Sequence, residues 1–152
     1  MIDERLAELG IDLPEVFAPV GSYAGCLVDG EMLYVSGHGP ISGSTIVTGK
    51  LGRDLTVEQG RHAARLTGLS ILATLRSELG SLDRVERILK VFGMVNAAAG
   101  FNEMPAVVDG CSDLLVEVYG AAGRHARSAV GMAELPFDIP VEIELIARLR
   151  SD

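Results

Sequence analysis

Apolar and polar residues alternate with period two in the last quarter of the chain. Val141, Ile143 and Leu145 are interleaved with Glu142 and Glu144, so a strand there puts the aliphatics on one face and both carboxylates on the other. Upstream, Ser128, Val130 and Met132 alternate with Ala129, Gly131 and Ala133, and Leu135–Pro140 is bounded by prolines. This reads as two strands of a hairpin. With the turn centred near Phe137, Arg127 falls opposite about residue 147, which leaves Glu142 roughly five positions, on the order of 16 Å, away along the ladder. The two cannot be cross-strand partners. Acting on one small molecule, Arg127 and Glu142 would come from different chains at a subunit interface.

The rest of the chain divides by the same periodicities. Asp3–Leu9 predicts a short amphipathic helix stopped by Gly10, an N-terminal extension over residues 1–12. Tyr23–Val28 and Met32–Ser36 flank Asp29-Gly30, a strong hairpin signal, and Thr45–Thr48 offers a brief third strand. Thr56-Val-Glu-Gln59 is a capping box, after which Ala63, Leu66, Leu69, Ile71, Leu72 and Leu75 recur at near-helical spacing until Gly80. Val85–Asn96 is too uniformly apolar for a surface strand and should be central, while Pro105 opens a second helix running to about Val118. The order β-β-β-α-β-α-β-β predicts one α+β domain over residues 1–152, with a mixed sheet whose helices cover one face. The other face then needs a partner.

Composition narrows the function. The chain has 152 residues, enough to bury a sizeable core, and 48% of them are hydrophobic. No apolar run approaches the roughly 18 residues of a membrane span, and no basic-then-apolar leader opens the sequence. Excess hydrophobicity therefore points to subunit contacts. A net charge of −8, 5% aromatic residues and no Trp leave little to attract or stack nucleic acid. Cys26 and Cys111 lack metal-ligand spacing and read as buried, reduced thiols of a cytoplasmic protein.

His38, His62 and His125 are far apart in sequence, with no HxxxH or CxxC pair, so no metal is expected. Nor is a nucleotide cofactor, since neither GxGxxG nor GxxxxGK[ST] occurs. His38, set between glycines at a strand end, is a candidate site residue. In a regular strand it would share a face with Ser36, the arrangement a nucleophile and its base would need. Arg127 stands among Ala126, Ser128, Ala129 and Gly131, which leave room for a ligand carboxylate on its guanidinium. The competing reading is a structural salt bridge to Glu142, Glu144 or a neighbouring subunit.

Tyr34-Val-Ser-Gly-His-Gly-Pro40, preceded by Val20-Gly-Ser-Tyr23 and followed by Arg127-Ser and Val141-Glu-Ile-Glu144, resembles the YjgF/Rid family of reactive-intermediate deaminases, also labelled endoribonuclease L-PSP. The likeness spans roughly residues 18–150. It implies a chorismate-mutase-like fold, a homotrimer with inter-subunit sites, and cofactor-free hydrolysis of small enamines and 2-imino acids to 2-keto acids and ammonia. By the same resemblance Arg127 would clamp the substrate carboxylate and Glu142 would orient or activate water. Tyr23 and Ser36 would line the pocket, and Gly37 would admit substrate to the backbone. Three positions depart from the family pattern and change pocket polarity: His38 replaces a common glutamine, Ala129 a cysteine, and Asp109 a pocket asparagine. A carboxylate-binding protein without catalysis, and an endoribonuclease, are the alternative readings.

Overall fold

The computed structural model describes residues 1–42 and 44–151; residue 152, the far end of the expected domain, lies outside them. Its elements are α1 (Ile2–Glu8), β1 (Cys26–Asp29), β2 (Met32–His38), β3 (Ile41–Ser42), β4 (Thr45–Ile46), α2 (Val57–Leu79), β5 (Val85–Asn96), α3 (Met104–Tyr119), β6 (Ala126–Met132) and β7 (Val141–Leu149). The architecture is α+β, as the periodicities predict. β1 and β2 form the expected hairpin, with Gly30 supplying the left-handed turn residue at φ 60°. The expected third strand is instead a separate two-stranded ribbon, β3 with β4.

The main sheet has the order β1-β2-β7-β5-β6. β7 is antiparallel to β2 on one edge and to β5 on the other, and β6 runs parallel to β5. The expected β6–β7 hairpin is therefore absent. The two strands have opposite directions, as a hairpin requires, but β5 lies between them, and residues 133–140 carry the chain past it. β5 is an interior strand paired on both edges, whereas the small residues of β6 suit an edge packed under α3. The register also moves: Arg127 lies beside Val91, which pairs with Leu145 on its far side, rather than opposite residue 147.

α2 and α3 cover one face. Thr56 caps α2 by accepting from the Gln59 amide, while Gln59 Oε1 accepts from the Thr56 amide at 2.9 Å, so the capping box forms as read. Val141, Ile143, Leu145, Ala147 and Leu149 alternate inward along β7 and are all buried under these helices. Each large aliphatic buried in this way contributes about 1.5–3 kcal/mol. The opposite face carries exposed Leu27, Tyr34 and Val130 alongside Glu142 and Glu144. Among the described residues no layer covers it.

The N-terminal helix is more than an appendage. Leu6 is buried in the same cluster as the sheet residues, and Ile2, Leu9, Ile11 and Leu13 pack against it. The Ile2 amide donates to Asp83 Oδ1 at 2.8 Å, and Arg5 Nε to the Glu117 carbonyl at 3.1 Å. Among the described residues no helix is long and apolar enough to cross a membrane.

α2 and α3 approach closely because Gly110 faces the Arg61 backbone, where a methyl group would overlap the carbonyl oxygen. Arg61 and Arg65 of α2 then reach Asp113 and Glu117 of α3. Gly110→Ala is expected to force the helices apart and cost about 1–3 kcal/mol, read as a lower urea midpoint. An unchanged midpoint would contradict the contact.

Candidate functional site

Two polar clusters emerge, on different parts of the sheet. The first lines a cavity of about 480 Å³ at the end of β2, where Tyr23, Ser36, Gly37, His38 and Glu142 meet. Four of these come from one short stretch and its partner strand, held by a bulge. Val35 pairs with Leu145 and His38 with Ile143, so three steps along β2 match two along β7. The extra residue turns His38 onto the helix-covered face. Ser36 and His38 consequently do not share a face, contrary to the regular-strand expectation, and the serine-nucleophile arrangement does not form.

The hydrogen bonds show what each does instead. Ser36 Oγ donates to the Ala24 carbonyl at 2.6 Å. His38 Nδ1 donates to the Ser36 carbonyl at 2.6 Å, which leaves Nε2 to accept from Thr74 Oγ1 at 2.9 Å. Burial pushes the His38 pKa down, so the neutral ring is favoured. Both ring nitrogens are engaged, which makes His38 a wall of the cavity and a brace between β2 and α2. Gly37 leaves room for Glu142: a Cβ there would come within 2.9 Å of the Glu142 carboxyl carbon. Glu142 is half-buried on the open face of β7, and burial, with Glu144 nearby as a smaller contribution, pushes its pKa up. Among the described residues its carboxylate has no hydrogen-bond or ion-pair partner.

The second cluster surrounds Arg127 at the sheet's other edge. Arg127 Nη1 donates to Asp109 Oδ1 at 2.7 Å and to Ser112 Oγ at 3.1 Å, both on α3. Ser112 Oγ in turn donates to His125 Nε2 at 3.0 Å, because His125 Nδ1 gives its hydrogen to the Gly123 carbonyl at 2.6 Å. The chain of donors fixes the guanidinium. Burial first, then the Arg127 charge, holds the His125 pKa below its ordinary value, consistent with an accepting Nε2. Ser112, His125 and Arg127 line an open cleft of about 510 Å³ that shares no residue with the first cavity.

Within one chain the structure does not bring Arg127 and Glu142 together. Arg127 sits in register with buried Val91 and reaches α3, whereas Glu142 alternates with buried Val141 and Ile143 and faces the other way. They lie on opposite faces and two strands apart.

Residues 3–149 match the profile of the family described as "YjgF/chorismate_mutase-like, putative endoribonuclease". The chain belongs to this family. Protein TCP17 of Trypanosoma cruzi is 41% identical over 149 residues, which cover 97% of this chain and 93% of that protein. Among solved structures, Atu1372 of Agrobacterium tumefaciens, a protein of unknown function, shares 41% identity with a TM-score of 0.90, covering 98% of this chain and 92% of that one. A Shewanella oneidensis protein described as a "putative endoribonuclease" shares 35% identity with a TM-score of 0.94, covering 98% and 99%.

In this YjgF-type chain several site residues escape sequence reasoning. Ser112 and His125 are thirteen positions apart and meet only because α3 packs beside the start of β6. Asn96, fully buried, donates to Asp138 Oδ1 at 3.1 Å and to the Ile139 carbonyl at 3.2 Å, and accepts from Lys50 Nζ at 2.6 Å. An asparagine ending an apolar strand was its one visible signal. Among the described residues no three His, Cys, Asp or Glu side chains converge on a metal position. Burial pushes the Cys111 thiol up to about 12, which leaves it unreactive.

Because the folded state holds the Glu142 proton more tightly than the unfolded chain, ionisation of Glu142 opposes folding as pH rises above its ordinary value of 4.5. Glu142→Gln is therefore expected to raise the melting temperature at pH 7, with the gain shrinking as pH falls through the raised folded-state pKa towards 4.5. A gain independent of pH would contradict the buried-carboxylate account.

Proposed function

We propose that this protein hydrolyses small 2-imino acids and their enamine tautomers to 2-keto acids and ammonia, at sites formed between subunits of a homotrimer. The observation that carries this reading is the separation of the two clusters. Among the described residues Glu142 has no partner and its cavity no cation, Arg127 lies on the other face of the sheet, and an exposed apolar face invites a second chain. A subunit interface unites them: one chain's Arg127 binds the carboxylate, and its neighbour's Glu142 addresses the imine carbon.

The chemistry asks little of the protein. An imine carbon is already electrophilic, so positioning and proton transfer suffice. Water oxygen bonds to C2 as Glu142 takes one of its protons, and the C=N pair moves onto nitrogen, which takes a proton from solvent. The carbinolamine then collapses: Glu142 returns its proton to the nitrogen, the C–N pair leaves with ammonia, and the hydroxyl proton passes to solvent as the C=O bond forms, so that one imine and one water give one keto acid and one ammonia. The upward push on Glu142 brings it nearer the operating pH, where a group serves as both acceptor and donor. Asp109 competes with the substrate for Arg127, since its carboxylate already occupies Nη1. The endoribonuclease reading fits less well, because no Lys or Arg is among the described residues lining the Glu142 cavity and the net charge is −8.

Light scattering at micromolar concentration is expected to give a trimer; a monomer would remove the shared site. With imines generated in situ by an amino-acid oxidase, Arg127→Ala and Glu142→Gln are each expected to lower kcat/KM by about 10²-fold or more while the trimer persists. Ligand-induced thermal stabilisation without any ammonia release would point to a binding protein instead. Loss of assembly in Arg127→Ala would assign that residue a structural role.

A further inference from the structure

The cavity beside Glu142 is far larger and more apolar than a three-carbon imino acid needs. Its volume of about 480 Å³ falls in the range that holds drug-sized ligands. Its walls come largely from Phe17, Val20 and Tyr23, in the segment before β1, and from Ile46, Phe137 and Ile139. Phe17, Val20, Tyr23 and Phe137 are all exposed large hydrophobics. A pocket floored by one carboxylate and walled by apolar side chains suits a substrate whose reacting end is polar and whose remainder is not.

The presentation of Phe137 is a second, independent observation. Phe137 has φ 58° and ψ 18°, and Asp138 has φ 56°. Two consecutive non-glycine residues in the left-handed region are unfavourable, most of all for a bulky side chain. The turn is held from outside: Asn96 donates to Asp138 Oδ1 and the Ile139 carbonyl, the Gly49 amide donates to the Asp138 carbonyl at 2.8 Å, and Lys50 Nζ grips Asn96 and the Ala133 carbonyl. Such overdetermined strain clusters at ligand clamps. Here it places an aromatic ring, 71% exposed, at the cavity rim.

We propose that the substrate carries a bulky apolar side chain, branched aliphatic or aromatic, seated between the Phe17–Tyr23 segment and Phe137. This rests on the imine-hydrolase reading of the same site. The imine carbon lies at Glu142, the carboxylate is taken by Arg127 of the neighbouring chain, and the side chain fills the apolar cavity. Phe137 acts as a specificity wall and takes no part in proton transfer.

The test compares imines made in situ from alanine, leucine and phenylalanine, using the intact protein and Phe137→Gly. The leucine- and phenylalanine-derived imines are expected to exceed the alanine-derived one in kcat/KM by about tenfold or more, the range hydrophobic pockets reach per added group. In Phe137→Gly, bulky-substrate kcat/KM should fall about tenfold while the alanine-derived imine changes by less than about threefold. Glycine relaxes the positive φ, so the melting temperature should hold or rise, which separates lost specificity from unfolding. Equal rates on all three imines, or equal losses in Phe137→Gly, would overturn this inference and leave the imine-hydrolase reading standing. No acceleration of any imine by the folded protein would overturn that reading itself, and this inference with it.

Discussion

Because β7 is hydrogen-bonded to β2 on one edge and to β5 on the other, its side-chain alternation cannot slip by one residue without exposing five buried aliphatic positions, from Val141 to Leu149. That constraint sets the direction of Glu142. It also forces β5 to accept β6 on its remaining edge, which carries Arg127 to the far side of the sheet under α3. The separation of the two charged groups is thus a result of core packing. The same strand that buries the core on one face leaves Glu142 on the other without a partner among the described residues.

Local devices then adapt each half. On the Glu142 side, the bulge in β2 rotates His38 into contact with Thr74, and Gly37 leaves space for the carboxyl group. A wider side chain at position 37 would displace the acid. On the Arg127 side, the donor chain through Ser112 and His125 ends at the Gly123 carbonyl, and Asp109 neutralises part of the guanidinium. An asparagine at 109 would leave the Arg127 guanidinium without this counter-charge.

Much of this was legible in the sequence, and the failures have identifiable causes. Capping at Thr56, the Asp29-Gly30 turn and the alternation from Val141 onward located α2, the first hairpin and the buried face of β7, since each is a local signal. The pairing of β6 was not local. Small residues followed by a proline-bounded turn look like a hairpin whether or not a third strand intervenes, and only the demand of β5 for two partners decides between them. The bulge was hidden for a similar reason: Ser36 and His38 have ordinary strand spacing, and the extra residue is visible only against the register of β7. The docking of α1 depends on Leu6 reaching the distant core, which a short amphipathic helix does not announce. The motif resemblance names all seven residues for one pocket, whereas within one chain Tyr23, Ser36, Gly37, His38 and Glu142 line one cavity and Arg127 pairs with Asp109 in another cluster.

The central claim is that a working site combines Glu142 of one chain with Arg127 of another, and subunit mixing tests it most directly. Arg127→Ala and Glu142→Gln chains, each inactive alone, would be mixed in equal amounts, unfolded and reassembled, with mixed trimers verified by native mass spectrometry. If sites are shared, about a quarter of the interfaces unite two intact groups, and about a quarter of wild-type imine hydrolysis returns. Mixed trimers that remain inactive would contradict the account.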